Sequence, residues 1–97
     1  MKLKDLPEEE RPREKLLAHG ADSLSAVELL AVLLRTGRKG EDVLEFSASI
    51  LNDWGGLEGL CRAGARELMT EKGLSSSKAA TVAAVIELGN RIASVSY

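Results

Sequence analysis

The sequence contains one cysteine and one histidine, Cys61 and His19. No intrachain disulfide can form, the single thiol fits a reducing compartment, and a zinc site of the Cys/His type cannot be assembled from this chain. Aromatic residues are scarce too: Phe46, Trp54 and Tyr97 make up 3% of the chain. A core must therefore be built from Leu, Val, Ile and Ala, a mix that favours helices. No apolar run reaches the ~18 residues of a membrane span, and the opening "MKLKDLPEEERPRE" has no apolar segment of the signal type. No membrane partner and a cytoplasmic setting are expected. A basic surplus is also missing. Thirteen Lys and Arg face fifteen Asp and Glu, a net charge of −2, so any nucleic-acid binding has to come from a local patch. No stretch alternates apolar and polar residues over a strand's length, which excludes a sheet-based fold.

What is present is helical periodicity punctuated by glycine. At 97 residues and 44% hydrophobic content, the chain is one globular domain by size. The pattern predicts an all-α fold, a compact bundle of about five to six short helices. Residues 1–11 read as a charged, loosely held arm and 12–97 as a single helical domain. In "PREKLLAHG", Pro12 suits a first helical turn and Gly20 a left-handed stop. In "LSAVELLAVLLRTG", Ser25 and Glu28 form a capping box and Leu24 and Leu29 a hydrophobic staple. That helix is apolar almost all round, reads as the central one and runs to Gly37. In "EDVLEFSASILNDWGG", Asp42 caps with Glu45, and Val43, Phe46, Ser47, Ile50 and Trp54 share a face. Leu57, Leu60 and Cys61, then Leu68 and Met69, are expected inward on two shorter helices. The last helix, over 78–94, carries a stripe of Ala79, Val82, Ala83, Val85, Ile86 and Ile92. A faint internal symmetry sets helix–"RTGRKGED"–helix against helix–"KGLSSSK"–helix, with "GLEGLC" between them.

Two loops hold the candidate chemistry. In "KGLSSSKA", Gly73 can turn the chain at positive φ, Leu74 can plug inward, and Ser75, Ser76 or Ser77 can cap the final helix. The first-turn N–H groups of that helix, flanked by Lys72 and Lys78, are suited to an anion such as a backbone phosphate. The same residues equally describe a capped turn between helices with no ligand. In "RTGRKGED", Arg35, Gly37, Arg38, Lys39 and Gly40 could add a second phosphate contact or form a solvated charged loop. This loop lacks the GK[ST] ending of a Walker A motif and has no strand before it. Its GxxG spacing matches a clamp that belongs to a mixed α/β module this chain cannot form. The run Glu8–Glu10 reads as solvated, His19 as a helix-end residue and Cys61 as a small core residue. No acid, base, nucleophile or metal set emerges, so no catalysis, cofactor or small-molecule substrate is expected.

Taken in order, "RPREKLLAHG", "LSAVELLAVLLRTG", "GGLEGLCRA", "KGLSSSKAA" and "ELGNRI" resemble the N-terminal domain of the RadC-like family over nearly the whole chain. The second half also resembles a tandem helix–hairpin–helix domain of DNA-repair proteins. The resemblance implies a bacterial, non-catalytic accessory domain with weak, sequence-non-specific DNA binding through hairpin amides at 72–78 and, secondarily, 35–40. It also implies a partner, the family's C-terminal JAB/MPN domain, which carries a zinc-binding site of the HxH…SxxxxxxxD type. The chain then reads as an excised N-terminal domain or a stand-alone copy. A protein-interaction module that positions or masks the JAB/MPN domain is the other reading. One departure bears on the choice: DNA-binding hairpins read Gly–apolar–Gly, and Ser75 stands where the second glycine is expected.

Overall fold

A computed structural model of the chain describes residues 3–95 and contains six α-helices. Tyr97 and the first two residues of the arm lie outside the described residues. The helices are α1 (Pro12–His19), α2 (Ala26–Leu34), α3 (Val43–Trp54), α4 (Gly56–Leu60), α5 (Ala65–Leu68) and α6 (Ser76–Ala93). Short 3-10 turns precede α1 and join it to α2. The all-α expectation holds, and the only β-type pairing among the described residues is an isolated bridge between Arg38 and Glu41.

The predicted capping boxes at the starts of α2 and α3 are both present, whereas Leu29, expected to staple against Leu24, is exposed. Ser25 Oγ accepts from the Glu28 N–H at 3.2 Å, and Glu28 Oε1 accepts from the Ser25 N–H at 2.9 Å. Asp42 and Glu45 reciprocate in the same way at 2.9 and 3.0 Å. Each box satisfies two N–H groups that have no partner within the helix, which contributes about 1 kcal/mol. Helices α2 and α3 pack against each other and bury Leu30, Ala31, Leu34, Val43, Phe46 and Ile50. Leu60, Leu68, Leu74, Ala79 and Val82 close the core from the second half of the chain. The one buried polar side chain among the described residues, Ser47, donates to the Val43 carbonyl at 2.7 Å. The arm touches this core at Leu3, whose N–H donates to Asp42 Oδ2 at 2.6 Å.

Four expectations are corrected. Helix α2 ends at Leu34 and not at Gly37, because Arg35 takes φ +70 and the Thr36 N–H turns back to the Leu34 carbonyl at 2.8 Å. Gly20 stops α1 at positive φ, but its ψ of 157 lies outside the left-handed helical region. Leu57, Cys61 and Met69 are exposed. Their helices are one turn long, and one turn is too short for periodicity to define a buried face. Finally, only the first half of α6 is buried. Ala79 and Val82 are in the core and Ala83 and Ile86 border it, whereas Val85 and Ile92 are exposed, as is every residue from 87 to 95. An 18-residue helix is about 27 Å long, and α5 and α2 are too short to cover it.

Candidate nucleic-acid interface

The two candidate loops, 35–40 and 72–78, are packed against each other, and each consumes the other's positive charge. Arg38 is the centre of the contact. Its Nη1 donates to Glu71 Oε2 at 2.8 Å and to the Lys72 carbonyl at 2.7 Å, and its Nε donates to Glu41 Oε1. Glu41 is held in turn by the Ser49 hydroxyl at 2.6 Å, and Glu71 by the Trp54 indole N–H at 3.0 Å. The Arg38 side chain is only 17% exposed. Its guanidinium lies 4.7 Å from the centroid of the fully buried Phe46 ring, within reach of a cation–π attraction. These hydrogen bonds, Glu71 foremost, raise the Arg38 pKa. The Ser49 hydroxyl, and after it Arg38, hold the Glu41 carboxyl below its ordinary range.

Lys78 is spent in the same way. Its ammonium donates to the Thr36 carbonyl and hydroxyl, both at 2.7 Å, and lies 5.5 Å from the Phe46 centroid. The acceptors belong to the turn that follows α2, so Lys78 ties the start of α6 to the first loop. The loop glycines serve this packing. A Cβ on Gly73, at φ +88, would lie 2.6 Å from Arg38 Cβ, and one on Gly37 would lie 2.1 Å from the Glu41 carbonyl oxygen. Leu74 is buried, as expected, and anchors the turn.

Of the expected contact residues, Lys72, Lys39 and Arg35 remain exposed and form no ion pair with a described residue. Gly40 turns the loop at φ +87. Ser75 is the N-cap of α6 and accepts from the Lys78 N–H at 3.2 Å. Ser76 and Ser77 begin the helix and are exposed, with N–H groups in the first turn that have no intrahelical acceptor. Beside the first loop, a shallow cleft of about 510 Å³ is lined by both signs of charge, Lys4 and Arg38 with Glu41, Asp42 and Glu45. Glu41, Glu71, Thr36, Trp54 and Phe46 organise this region, and none was singled out for it from the sequence. The ties between the two loops span more than thirty residues and Trp54 reaches Glu71 across 17, and no local pattern reports such pairs. His19 is exposed at the end of α1. No group of three or more His, Cys, Asp or Glu side chains among the described residues is arranged to hold a metal ion, and no described helix is long and apolar enough to cross a membrane.

The UPF0758 N-terminal family matches residues 3–80. The chain belongs to this family. A UPF0758 protein of Desulfitobacterium hafniense is 54% identical over 90 residues, 93% of this chain and 40% of the relative. One from Bacillus licheniformis is 54% identical over 95 residues, 98% of this chain and 42% of the relative. One from Clostridium botulinum is 46% identical over 91 residues. The chain thus spans about two fifths of the length of the curated relatives it matches. No solved structure matches. In this UPF0758 domain Arg38 and Lys78 are spent between the two loops, while Lys72, Lys39 and Arg35 stay exposed.

Proposed function

We propose that this UPF0758 domain is a non-catalytic docking module whose α6 binds the C-terminal portion that the longer relatives carry, a JAB/MPN domain on the RadC-like reading. One observation carries this proposal: the outer half of α6 is apolar and uncovered. Val85, Leu88 and Ile92 share one face and Val95 extends it, with exposures of 41, 59, 54 and 54%. Ile86 faces the core on the other side of the same helix. Solvated helix ends gain little from their own hydrogen bonds, and most helical stability comes from packing an apolar face. This face lies at the C-terminal end of a domain that the family places N-terminally.

Titration calorimetry of this chain against the remaining portion of the Bacillus licheniformis relative tests the proposal. Saturable binding is expected for the parent, and its loss for Leu88→Glu with Ile92→Glu, while circular dichroism stays unchanged. Equal binding by parent and variant would overturn it.

DNA binding is the second reading, and the free amides of Ser76 and Ser77 beside the unpaired Lys72 favour it. With Arg38 and Lys78 engaged internally, contact rests on Lys72, Lys39 and Arg35, enough for about two or three phosphates and a correspondingly salt-sensitive affinity. Fluorescence anisotropy with duplex, single-stranded and branched DNA at about 50 mM salt decides it. A Lys72→Glu, Lys39→Glu double variant that binds as well as the parent removes the hairpin from consideration.

A further inference from the structure

Helix α6 carries a glycine that nothing in this domain requires. Gly89 lies inside the helix, where glycine is weaker than alanine because it has more backbone freedom to lose and no side chain to pack. Its backbone is helical, with no positive φ. Apart from the backbone of its own helix, a Cβ built there would meet nothing within 4 Å. Every other glycine of the chain has either a positive φ or a neighbour within that distance.

The place of Gly89 on the helix is specific. Residues three and four apart share a side of a helix. Ala79 and Val82 are in the core and Ile86 borders it. Gly89 and Ala93 continue that line past the end of the core, and both are exposed. Val85 and Ile92, on the neighbouring turns, stand beside Gly89 and are exposed too. The result is a notch with a glycine floor and β-branched rims. The charges of this half of α6 are elsewhere. Glu87 and Arg91 fall on the opposite side of the helix by its 3.6-residue period, and they pair with each other at 2.9 Å.

We infer that the notch at Gly89 is the crossing point of an α-helix from the C-terminal portion that the longer relatives carry, packed closely against α6. The crossing rests on the docking proposed above and adds the element that docks. The domain is N-terminal in the family and spans 40 and 42% of two relatives, so most of each relative remains to supply the occupant. The distance between packed helices is set by the side chains at their contact, and a glycine with no local use on an uncovered apolar face suits a close one. An extended segment does not suit this surface, because it needs main-chain hydrogen bonds and the backbone around Gly89 is engaged within α6. The occupying helix presents apolar side chains, since Val85, Leu88 and Ile92 offer it neither charge nor hydrogen bonds.

Titration calorimetry of this chain against the remaining portion of the Bacillus licheniformis relative tests the crossing, with Gly89→Ala, Gly89→Leu and Arg91→Ala. Gly89→Ala should strengthen the isolated helix and raise Tm by about 4–8 °C. The same variant should weaken binding about ten-fold, because an added methyl holds two close-packed helices apart. Gly89→Leu should abolish saturation, and Arg91→Ala, on the far side of α6, should bind as the parent does. A merely structural role for Gly89 would not move stability and binding in opposite directions. A benzophenone amino acid at Val85 should cross-link to positions three or four residues apart within one segment of the relative. Suppose the parent binds and Leu88→Glu with Ile92→Glu does not. If both Gly89 variants then bind like the parent, the crossing is overturned and the docking stands. Cross-links at alternate residues of an extended segment, or an equal loss in Arg91→Ala, overturn the crossing as well. No binding by the parent removes both.

Discussion

Arg38 and Glu71, 33 residues apart in sequence, form a 2.8 Å ion pair in which both side chains are largely buried, at 17 and 10% exposure. The pair fastens the loop after α2 to the turn before α6, and with Trp54, Ser49 and Glu41 it forms a network in which both oxygens of each carboxylate are engaged. Removing one partner of such a pair costs more than the pair is worth, because the other charge stays behind without compensation. Arg38→Ala is therefore expected to destabilise the domain by about 2–3 kcal/mol, read as a fall in Tm of roughly 10–20 °C for a chain of this size. Arg38→Lys should recover only a small part, since one ammonium cannot reach Glu71, Glu41 and the Lys72 carbonyl together. A Tm within a few degrees of the parent would contradict this assignment.

Gly73 is constrained twice, by its φ of +88 and by Arg38 Cβ at 2.6 Å from where a Cβ would stand. Gly73→Ala should cost about 2 kcal/mol or more, since the strained backbone and the displaced Arg38 side chain add. Chemical denaturation measures it, and the loss should shrink in an Arg38→Ala background because the two sites share one contact. Additive losses would mean that Gly73 is needed for its backbone alone.

Arg35 makes the opposite prediction. Its γ-turn at φ +70 is unfavourable for any residue with a Cβ. Arg35→Gly should relieve that strain and raise stability by about 1 kcal/mol, after allowing for the extra freedom of glycine in the unfolded chain. The denaturation midpoint of the variant measures this, and an unchanged or lower midpoint would mean that the turn carries no strain.

Two carboxylates set the acid side of the stability profile. The Ser25 backbone N–H, and after it Lys15, lowers the pKa of Glu28; the Ser49 hydroxyl and Arg38 lower that of Glu41. A carboxyl that is more acidic folded than unfolded contributes stability above its unfolded pKa of about 4.3 and loses it as pH falls through the folded value. Thermal melts between pH 7 and pH 3 should show Tm dropping below about pH 4.5, less steeply in Glu28→Gln and Glu41→Gln. A profile identical to the parent in both variants would assign the acid sensitivity elsewhere.

The parts legible from the sequence are those whose partners lie within a turn of helix. Ser25 with Glu28 and Asp42 with Glu45 were recognisable because both members sit three residues apart and answer to the same unpaired N–H groups. Gly73 and Leu74 were likewise read correctly as a turn and its plug. Met69 and Cys61 were misread because α5 and α4 are four and five residues long, too short for periodicity to specify a face. The stripe on α6 was read as one continuous core surface, yet nothing in a helical period says how far the neighbouring helices extend.

The chain by itself determined the class of the fold: few aromatics, helical periods and two capping boxes leave little but a small all-α bundle. Local interactions carry that information, and they are written in adjacent residues. Only the tertiary structure decided the fate of the charges. Arg38 and Lys78 read as solvent-facing cations on two separate loops; folding brings the loops together over Phe46 and turns both into internal donors. Whether a cation is free depends on which oxygens lie within about 3 Å of it, and across thirty residues of chain only packing sets that distance.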